Sequence, residues 1–394
     1  MSSHDPIVIV AARRTPVGAF QGALSGAKAP QLGSTAIQAA IQDSGIDAAE
    51  ISEVVFGCVL PAGVGQAPAR QAALGAEVPK SVGCTTINKV CGSGMKATMF
   101  GHDLIAGGSA DIVLTGGMES MTNAPYLLPK ARGGMRMGHQ EVIDHMFFDG
   151  LQNPYDGQMM GHFGETCADK YGFTREQQDN FAITSVQRAQ QAVDQGIFDE
   201  EIAPVTIASR KGETVVERDE EPHKANPEKI PQMKPAFKKD GTVTAASSSG
   251  ISDGASALLL MRASEAERRG LQPLARIVGH AGHAHEPEWF TTAPVGAIQK
   301  LQEQLGWSAQ DVDLYEVNEA FAVVAMAAME DIGIPHDKLN VHGGACAMGH
   351  PIGATGARII TTLLHALKRH GGQRGIASLC IGGGEATAIA VERV

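Results

Sequence analysis

One cysteine in this sequence lies where reactive thiols are often found. Cys91 sits within NKVCGSGMK at 88–96, between a β-branched segment and a proline-free stretch that is long enough for a helix. The first N–H groups of a helix are unpaired and carry partial positive charge, which favours a thiolate. The stretch therefore predicts a nucleophile with a low pKa. The alternative is a small buried cysteine at a tight turn.

Four further stretches carry groups that could act with this thiol. They are AASSSG at 245–250, VNEAF at 317–321, HGGACAMGHPIGATG at 342–356 and CIGGG at 380–384. Each follows a predicted strand, and the carboxyl ends of strands in parallel α/β sheets form the ligand crevice. The four stretches could therefore meet Cys91 at one edge of a sheet.

The chemistry that these groups suggest is attack of a thiol on a carbonyl. His350 is the candidate base for Cys91, and the glycine-rich turns would expose N–H donors for an oxyanion. Cys380 could move a proton to or from carbon. A structural histidine and a plain glycine loop are the alternatives. No phosphate-binding glycine motif follows these strands. Cys91, Cys380 and His350 could bind a metal, but they are far apart in the sequence, whereas zinc ligands usually include closely spaced pairs. We therefore expect no metal.

Strands and helices alternate in both ends of the chain. Strands are predicted over 7–12, 54–60, 85–90, 112–115, 254–261, 313–317, 339–342 and 375–380. Helices are predicted over 32–43, 67–74, 91–107, 174–194, 319–332 and 353–369. The helix at 174 begins with a capping-box pattern, Thr174 followed by Gln177. This alternation predicts an α/β fold with parallel strands under helices.

The two ends resemble each other, since 110–117 and 375–383 are both strands that follow a helix and end in glycines. We predict two pseudo-equivalent βαβαβ halves, at 1–119 and 272–394, with the first completed by about 252–271. A loop-rich insertion over 120–251 separates them. One long doubly wound sheet is the alternative.

Composition excludes several classes of function. The chain has 394 residues, 43% hydrophobic and 19% charged, with a net charge of −11, which does not suggest a nucleic-acid or membrane partner. The apolar runs are too short to span a bilayer. Six cysteines without CxxC spacing predict reduced thiols and a cytoplasmic location.

Together the motifs resemble those of the thiolase family. The likeness rests on NKVCGSGMKA at 88–97, NEAFA at 318–322, GGACAMGHPIGATGAR at 343–358 and CIGGG at 380–384, and it extends to GGMESM at 116–121, RGGMRMG at 132–138 and KPAFKKDGTVTA at 234–245. It implies a layered αβαβα fold with an inserted loop domain for binding CoA and oligomerisation. It also implies cleavage of 3-ketoacyl-CoA by CoA, or the reverse Claisen condensation of two acetyl-CoA molecules.

The resemblance also implies a role for each catalytic position. Cys91 matches the acyl-accepting nucleophile, His350 its base, and Cys380 the thiol that exchanges a proton with the attacking acetyl carbon. The N–H groups of Cys91 and Gly382 match one oxyanion hole. His350 and a water held by Asn318 match the other.

The substrate site is implied in the same way. Ser249 matches a CoA contact, and pocket-lining positions match Leu151, Met160, Phe237 and Phe321. The arginine that often flanks adenine has no clear match, so His223 or Lys224 is expected to replace it. CoA enters as a substrate, and no permanently bound cofactor is expected.

The loop region is similar to that of short-chain acetoacetyl-CoA thiolases, which are typically tetramers. This predicts an acetyltransferase of fatty acid metabolism that condenses two acetyl-CoA molecules and forms a homotetramer. Met159 stands where that pattern usually has histidine, and Glu385 stands where it has methionine. A broader-chain thiolase of β-oxidation therefore remains an alternative, as do a ketoacyl synthase and a non-catalytic lipid carrier on the same fold.

Overall fold

The computed structural model describes residues 5–210 and 212–394. The strands are β1 (Ile7–Arg14), β2 (Gly18–Ala19), β3 (Glu53–Gly57), β4 (Gly83–Ile87), β5 (Ile112–Ser120), β6 (Tyr126–Leu127), β7 (Ile143–Asp144), β8 (Val205–Ser209), β9 (Gly212–Val216), β10 (Ser252–Arg262), β11 (Ala275–Ala284), β12 (Leu314–Val317), β13 (Arg374–Ile381) and β14 (Glu385–Glu392).

The α-helices are α1 (Ala29–Ser44), α2 (Pro68–Gly75), α3 (Ser93–Ala106), α4 (Met160–Tyr171), α5 (Arg175–Asp194), α6 (Ala263–Arg268), α7 (Ala293–Leu305), α8 (Ala322–Ile332), α9 (Ala345–Met348) and α10 (Thr355–His370). Short 3-10 turns and one π-helical turn, Phe147–Leu151, complete the helical segments. Thr174 and Gln177 form the predicted capping box at the start of α5. Among the described residues, no helix combines the length and apolarity needed to cross a membrane.

Ten of these strands form one sheet in the order β12-β13-β14-β11-β1-β10-β5-β3-β4, with β2 paired to β10, while β6 pairs with β7 and β8 with β9 in two small sheets. Two series of four neighbouring strands, β3-β5-β10-β1 and β12-β13-β14-β11, share one pattern of strand directions. In each series the first two strands are parallel, and each later strand is antiparallel to the one before it. The two series meet where β1 pairs with β11. The sheet therefore consists of two pseudo-equivalent halves, and β10 and β14 occupy corresponding places.

Two predictions about the sheet are wrong. The sheet is mixed rather than parallel, because β11 and β14, which the sequence analysis missed, return antiparallel. The predicted strand at 339–342 is reduced to one bridge between Leu339 and Tyr315. It stops there because Asn340 has a positive φ of 45°, which extended backbone cannot adopt. The Asn340 side-chain carboxamide instead accepts a hydrogen bond from the Val317 N–H and donates one to the Val317 carbonyl.

The helices form layers around the two halves of this sheet. Helices α1 and α2 cover the outer face of the first half, and α7 and α8 cover that of the second. Helices α3 and α10 pack against each other and against both halves of the sheet. Their apolar residues form the central core with Ile9, Leu258 and Leu379. This arrangement aims the start of α3 and the start of α10 at the same region, which fixes the position of Cys91 relative to His350.

Candidate active site

Cys91 lies in a constrained turn between β4 and α3. The preceding residue, Val90, has a φ of +46°, which is costly for a β-branched side chain. Two short hydrogen bonds hold this conformation: the Asn88 carboxamide oxygen accepts from Val90 N–H at 2.8 Å, and the Ser93 hydroxyl donates to the Val90 carbonyl at 2.7 Å. The strained turn therefore presents Cys91 in one fixed direction.

The expected low pKa of Cys91 is wrong for this structure. Helix α3 begins only at Ser93, with Gly92 as its N-cap, so the thiol precedes the helix rather than capping it. Burial of the thiol raises its pKa to about 11, although hydrogen bonds from the N–H groups of Gly382 and of Cys91 itself act in the opposite direction. Cys91 is thus a neutral thiol near pH 7 and needs a base to become a nucleophile.

His350 is held as a neutral imidazole in a defined tautomer. Its residue is buried, and burial together with the positive charge of Arg358 lowers its pKa to about 3. His350 Nδ1 lies 2.7 Å from the Thr355 hydroxyl, which itself donates to the Pro351 carbonyl at 2.9 Å. Since that hydroxyl proton is used, Nδ1 must be the donor to Thr355. The lone pair of His350 is therefore on Nε2.

Asn318 faces that lone pair. Its side-chain nitrogen lies 3.5 Å from His350 Nε2, and its Oδ1 is buried with no hydrogen-bond partner among the described residues. A buried carbonyl oxygen without a partner is costly. The pair His350–Asn318 therefore offers a polar point suited to a water molecule or a substrate oxygen.

Cys380 and Gly382 bring the second half of the sheet to the same place. Cys380 is fully buried near the end of β13, and Gly382 follows that strand. Burial and the negative charge of an ionised Cys91 raise the pKa of Cys380 well above its ordinary value. The two thiols are therefore close enough to interact. A methyl group on Gly382 would meet Met160 Cε at 3.4 Å, so Met160 packs directly against this turn.

A buried carboxylate, Glu119 at the end of β5, ties the loops of the two halves together. It accepts hydrogen bonds from the N–H groups of Val59 at 3.0 Å, Leu60 at 3.1 Å and Gly353 at 2.9 Å. The Cys58 thiol lies 3.8 Å away. Burial raises the pKa of Glu119 to about 7, against the effect of these donors. Gly353 is three residues from His350, so Glu119 fixes the position of the histidine-bearing loop.

A cavity of about 440 Å³ opens onto His350. Five of the seven residues proposed for substrate binding line it: Leu151, Met160, Phe237, Ser249 and Phe321. The cavity is mainly apolar, and its walls come from the insertion and from the turn after β12. Its lining suits an acyl or pantetheine chain that ends at His350.

His223 and Lys224 do not reach this cavity. His223 pairs with Asp194 at 3.1 Å, and Lys224 pairs with Glu220 at 2.7 Å. Lys224 does line a neighbouring cavity of about 310 Å³, together with Lys229. A role for Lys224 toward CoA thus stays a prediction, and His223 has no contact that supports one.

Several residues at this site were missed in the sequence. Thr355 orients His350, and Glu119 holds the loop after β3 against the histidine-bearing loop. Both residues lie inside recognised motifs, but the sequence analysis gave them no role. Phe20 and Phe147 line the cavity mouth and are 42% and 37% exposed. Phe20 comes from the region of β2, far away in sequence, so no local signal could have placed it here.

Two family models together match almost the whole chain. The model of the thiolase N-terminal domain matches residues 7–264, and that of the thiolase C-terminal domain matches residues 271–393. The chain belongs to the thiolase family. The predicted resemblance is therefore confirmed. The two family models meet between residues 264 and 271. They do not mark the insertion separately, so its predicted limits, after 119 and at 251, stay a prediction.

Similar proteins have names that agree with one another. The thiolase is 47% identical to an acetyl-CoA acetyltransferase of Chromobacterium violaceum, over 98% of this chain and 99% of the relative. It is 49% identical to acetyl-CoA acetyltransferase 2 of Arabidopsis thaliana, over 98% and 96%. The crystal structure of the Bacillus anthracis acetyl-CoA acetyltransferase matches with a TM-score of 0.97 and 41% identity, covering 99% of both chains. The predicted thiolase fold is thereby confirmed.

Proposed function

We propose that this thiolase is an acetyl-CoA C-acetyltransferase that joins two acetyl-CoA molecules into acetoacetyl-CoA and CoA, or runs the reverse thiolysis. The observation that carries the proposal is the Nε2 lone pair of His350, which faces the Asn318 amide, with the N–H groups of Cys91 and Gly382 directed at the Cys91 thiol. The names of the similar proteins support acetyl-CoA as the substrate.

In the first half-reaction, Cys91 Sγ attacks the thioester carbonyl while His350 Nε2 takes the thiol proton. The His350 imidazolium and a water molecule held by Asn318 Oδ1 stabilise the tetrahedral oxyanion. Collapse breaks the bond to the CoA sulfur, and the departing thiolate takes the proton of Cys380. The products are acetyl-Cys91, CoA, an imidazolium at His350 and a thiolate at Cys380. The acetyl carbonyl then lies against the N–H groups of Cys91 and Gly382.

In the second half-reaction, the Cys380 thiolate removes a proton from C2 of a second acetyl-CoA. Acetyl-Cys91 carries no charge, so the Cys380 thiolate has no ionised thiol beside it. The imidazolium stabilises the enolate oxygen, and the enolate carbon attacks acetyl-Cys91. Expulsion of the Cys91 thiolate, which recovers its proton from His350, restores both groups and gives acetoacetyl-CoA. Protons and charges balance over the cycle.

The adenine nucleotide end of CoA is placed in the 310 Å³ cavity next to the acyl cavity. Ser248 and Gly250 line both cavities, and Lys224 and Lys229 supply positive charge in the outer one. CoA itself activates the acyl carbon, so the scheme requires no permanently bound cofactor. We place the reaction in cytoplasmic fatty acid metabolism.

A second candidate function is broader-chain thiolysis. A separate cavity of about 500 Å³ is lined by Gly382, and Met160 lines this cavity as well as the acyl cavity. Because methionine is flexible and unbranched, its movement could join the two spaces. A longer acyl chain would then fit.

The experiment that separates the two is thiolysis of 3-ketoacyl-CoA substrates of increasing length, by the parent enzyme and by Met160→Ala. We expect acetoacetyl-CoA to be cleaved fastest by the parent, and the preference to shift to longer chains in the variant. Met261→Ala is the matched control, since Met261 is buried in a different core cluster and lines neither cavity. Equal rates for short and long substrates in the parent would favour the broader-chain enzyme.

A homotetramer is part of the proposal. Strands β6 and β7 form the base of an arm whose large apolar side chains are exposed: Tyr126 by 67%, Met137 by 90% and Val142 by 57%. Exposed apolar side chains grouped on one segment are typical of a protein–protein contact. Light scattering of the parent and of Met137→Glu tests this, and a dimer mass for the parent at micromolar concentration would reject the tetramer.

A further inference from the structure

Two histidines and an aspartate meet at the end of α3 that is remote from Cys91. Asp103 Oδ1 lies 3.0 Å from His102 Nδ1 and 2.9 Å from His280 Nε2. The two imidazole rings are edge-to-face, with centroids 5.0 Å apart. All three ligand-type atoms lie within 4.8 Å of one another, a grouping that no other set of these residue types shows among the residues described.

The catalytic scheme does not use this cluster. It lies about 15 Å along the helix axis from the nucleophile, since an α-helix rises 1.5 Å per residue. His102 and Asp103 belong to α3 in the first half of the fold, whereas His280 is on β11 in the second half. The cluster thus joins two elements that meet only through the tertiary structure.

The local field favours a cation. His102 and Asp103 lie in the last turns of α3, where the helix carries partial negative charge. Arg262 already donates to the Ile105 carbonyl, and Lys96 is near enough to lower the pKa of His280. These two cations oppose binding, but the Asp103 carboxylate is the direct neighbour of both imidazoles and carries a full negative charge.

We propose that His102, Asp103 and His280 form a binding site for a divalent transition metal ion of the zinc or cobalt class. Two imidazoles and one carboxylate are ligands that such ions prefer, whereas calcium and magnesium prefer oxygen. Ligand atoms around tetrahedral zinc lie about 3.3 Å apart, given metal–ligand bonds of about 2.0 Å. The two distances to Asp103, 3.0 and 2.9 Å, are near that value, whereas the two ring nitrogens lie within 4.8 Å of each other and are brought together by rotation of the rings.

Binding has a simple proton balance. The ring nitrogens that now donate to Asp103 must become lone-pair donors to the metal. Each ring therefore moves its proton to its other nitrogen through solvent, with no net release. Asp103 is half exposed at its side chain, 53%, so water can complete the coordination. Bound metal would clamp α3 to β11, which predicts a gain in stability rather than in catalysis.

Titration of the untagged full-length enzyme with Co²⁺ and Zn²⁺ tests the site. We expect one equivalent per chain, a visible tetrahedral Co²⁺ spectrum that Zn²⁺ abolishes, and a higher melting temperature with Zn²⁺. His280→Gln should weaken Zn²⁺ binding at least about tenfold. His283→Gln is the control, because it lies on the same strand but outside the cluster. Acetyl transfer should be unchanged in both variants.

A second variant guards against a folding defect in His280→Gln. Asp103→Asn keeps the shape of an exposed side chain and should also lose the Co²⁺ spectrum while retaining acetyl transfer. Absence of stoichiometric binding to the parent, or equal binding by the parent and both cluster variants, would overturn the proposal.

Discussion

The hydroxyl of Thr355 lies 2.7 Å from His350 Nδ1 and donates its own proton to the Pro351 carbonyl. One threonine at the start of α10 thereby decides which nitrogen of the histidine is free. We predict that Thr355→Val removes the acceptor for Nδ1–H and lets the proton occupy Nε2 instead. Losing a buried hydrogen bond costs about 1–3 kcal/mol, so the rate of acetyl transfer to Cys91 should fall about 10- to 100-fold.

The measurement is the rate of the CoA burst on mixing with acetyl-CoA. Thr361→Val is a matched control on the same helix, where Thr361 Oγ1 contacts Ser256 Oγ at 2.9 Å and not His350. If both variants slow the burst equally, loss of helix packing rather than loss of the tautomer would be the cause.

The two thiols should separate by function. Cys380→Ala leaves Cys91, His350 and the N–H donors in place, so it should still release a stoichiometric burst of CoA, although more slowly because the departing thiolate loses its proton donor. Carbon–carbon bond formation should fall by about 10²–10⁴-fold, as is typical on loss of a positioned acid or base. Cys91→Ala should lose the burst and keep only the slow hydrogen exchange at the acetyl methyl group of bound acetyl-CoA that the small ionised fraction of Cys380 supports.

Burst amplitude and methyl exchange, measured on both variants, test this division. Mass spectrometry should place the acetyl group on the Cys91 peptide. A folded Cys380→Ala enzyme without a burst, or an acetyl group found only on Cys346 or Cys380, would show that the roles are assigned wrongly.

Alkylation of Cys91 should reveal its high pKa. With a pKa of about 11 for Cys91 and about 3 for His350, the resting pair is a neutral thiol beside a neutral imidazole. The thiolate fraction then rises about tenfold per pH unit below the thiol pKa. We expect the rate of iodoacetamide modification to climb steadily between about pH 7 and 9. A plateau in that range would instead indicate a thiolate–imidazolium pair.

Glu119 should matter although it contacts no substrate. Its neighbours are all donors, namely three backbone N–H groups and the Cys58 thiol. Glu119→Gln places an NH₂ group among them and leaves at least one buried donor unpaired, at a cost of about 1–3 kcal/mol. We expect a lower melting temperature and a lower kcat, with KM for acetyl-CoA nearly unchanged, because the histidine-bearing loop loses its anchor.

Cys58→Ala is the control for that experiment, since it removes only the sulfur contact and keeps the three N–H bonds. It should lose little activity. Wild-type kcat in a well-folded Glu119→Gln variant would mean that Gly353 and the loop are held in other ways.

The sequence by itself determined the family and predicted the reacting groups. Cys91, His350, Cys380 and Asn318 lie in motifs whose residue types and order are specific, and their strand-then-turn contexts follow from local patterns. Pseudo-equivalence of the halves was also readable, because both ends carry the same alternation of strand, helix and glycine turn.

Only the tertiary structure decided the pKa values at the site, the directions of the strands and the orientation of the side chains. The start of α3 predicted a low pKa for Cys91, but burial outweighs the helix field, and burial depends on what the other half packs against the thiol. The antiparallel return of β11 and β14 was not visible because both strands are defined by partners far away in the chain. The tautomer of His350, the anchoring of its loop by Glu119 and the meeting of His280 with α3 likewise depend on side chains brought together by long-range packing, which no local pattern encodes.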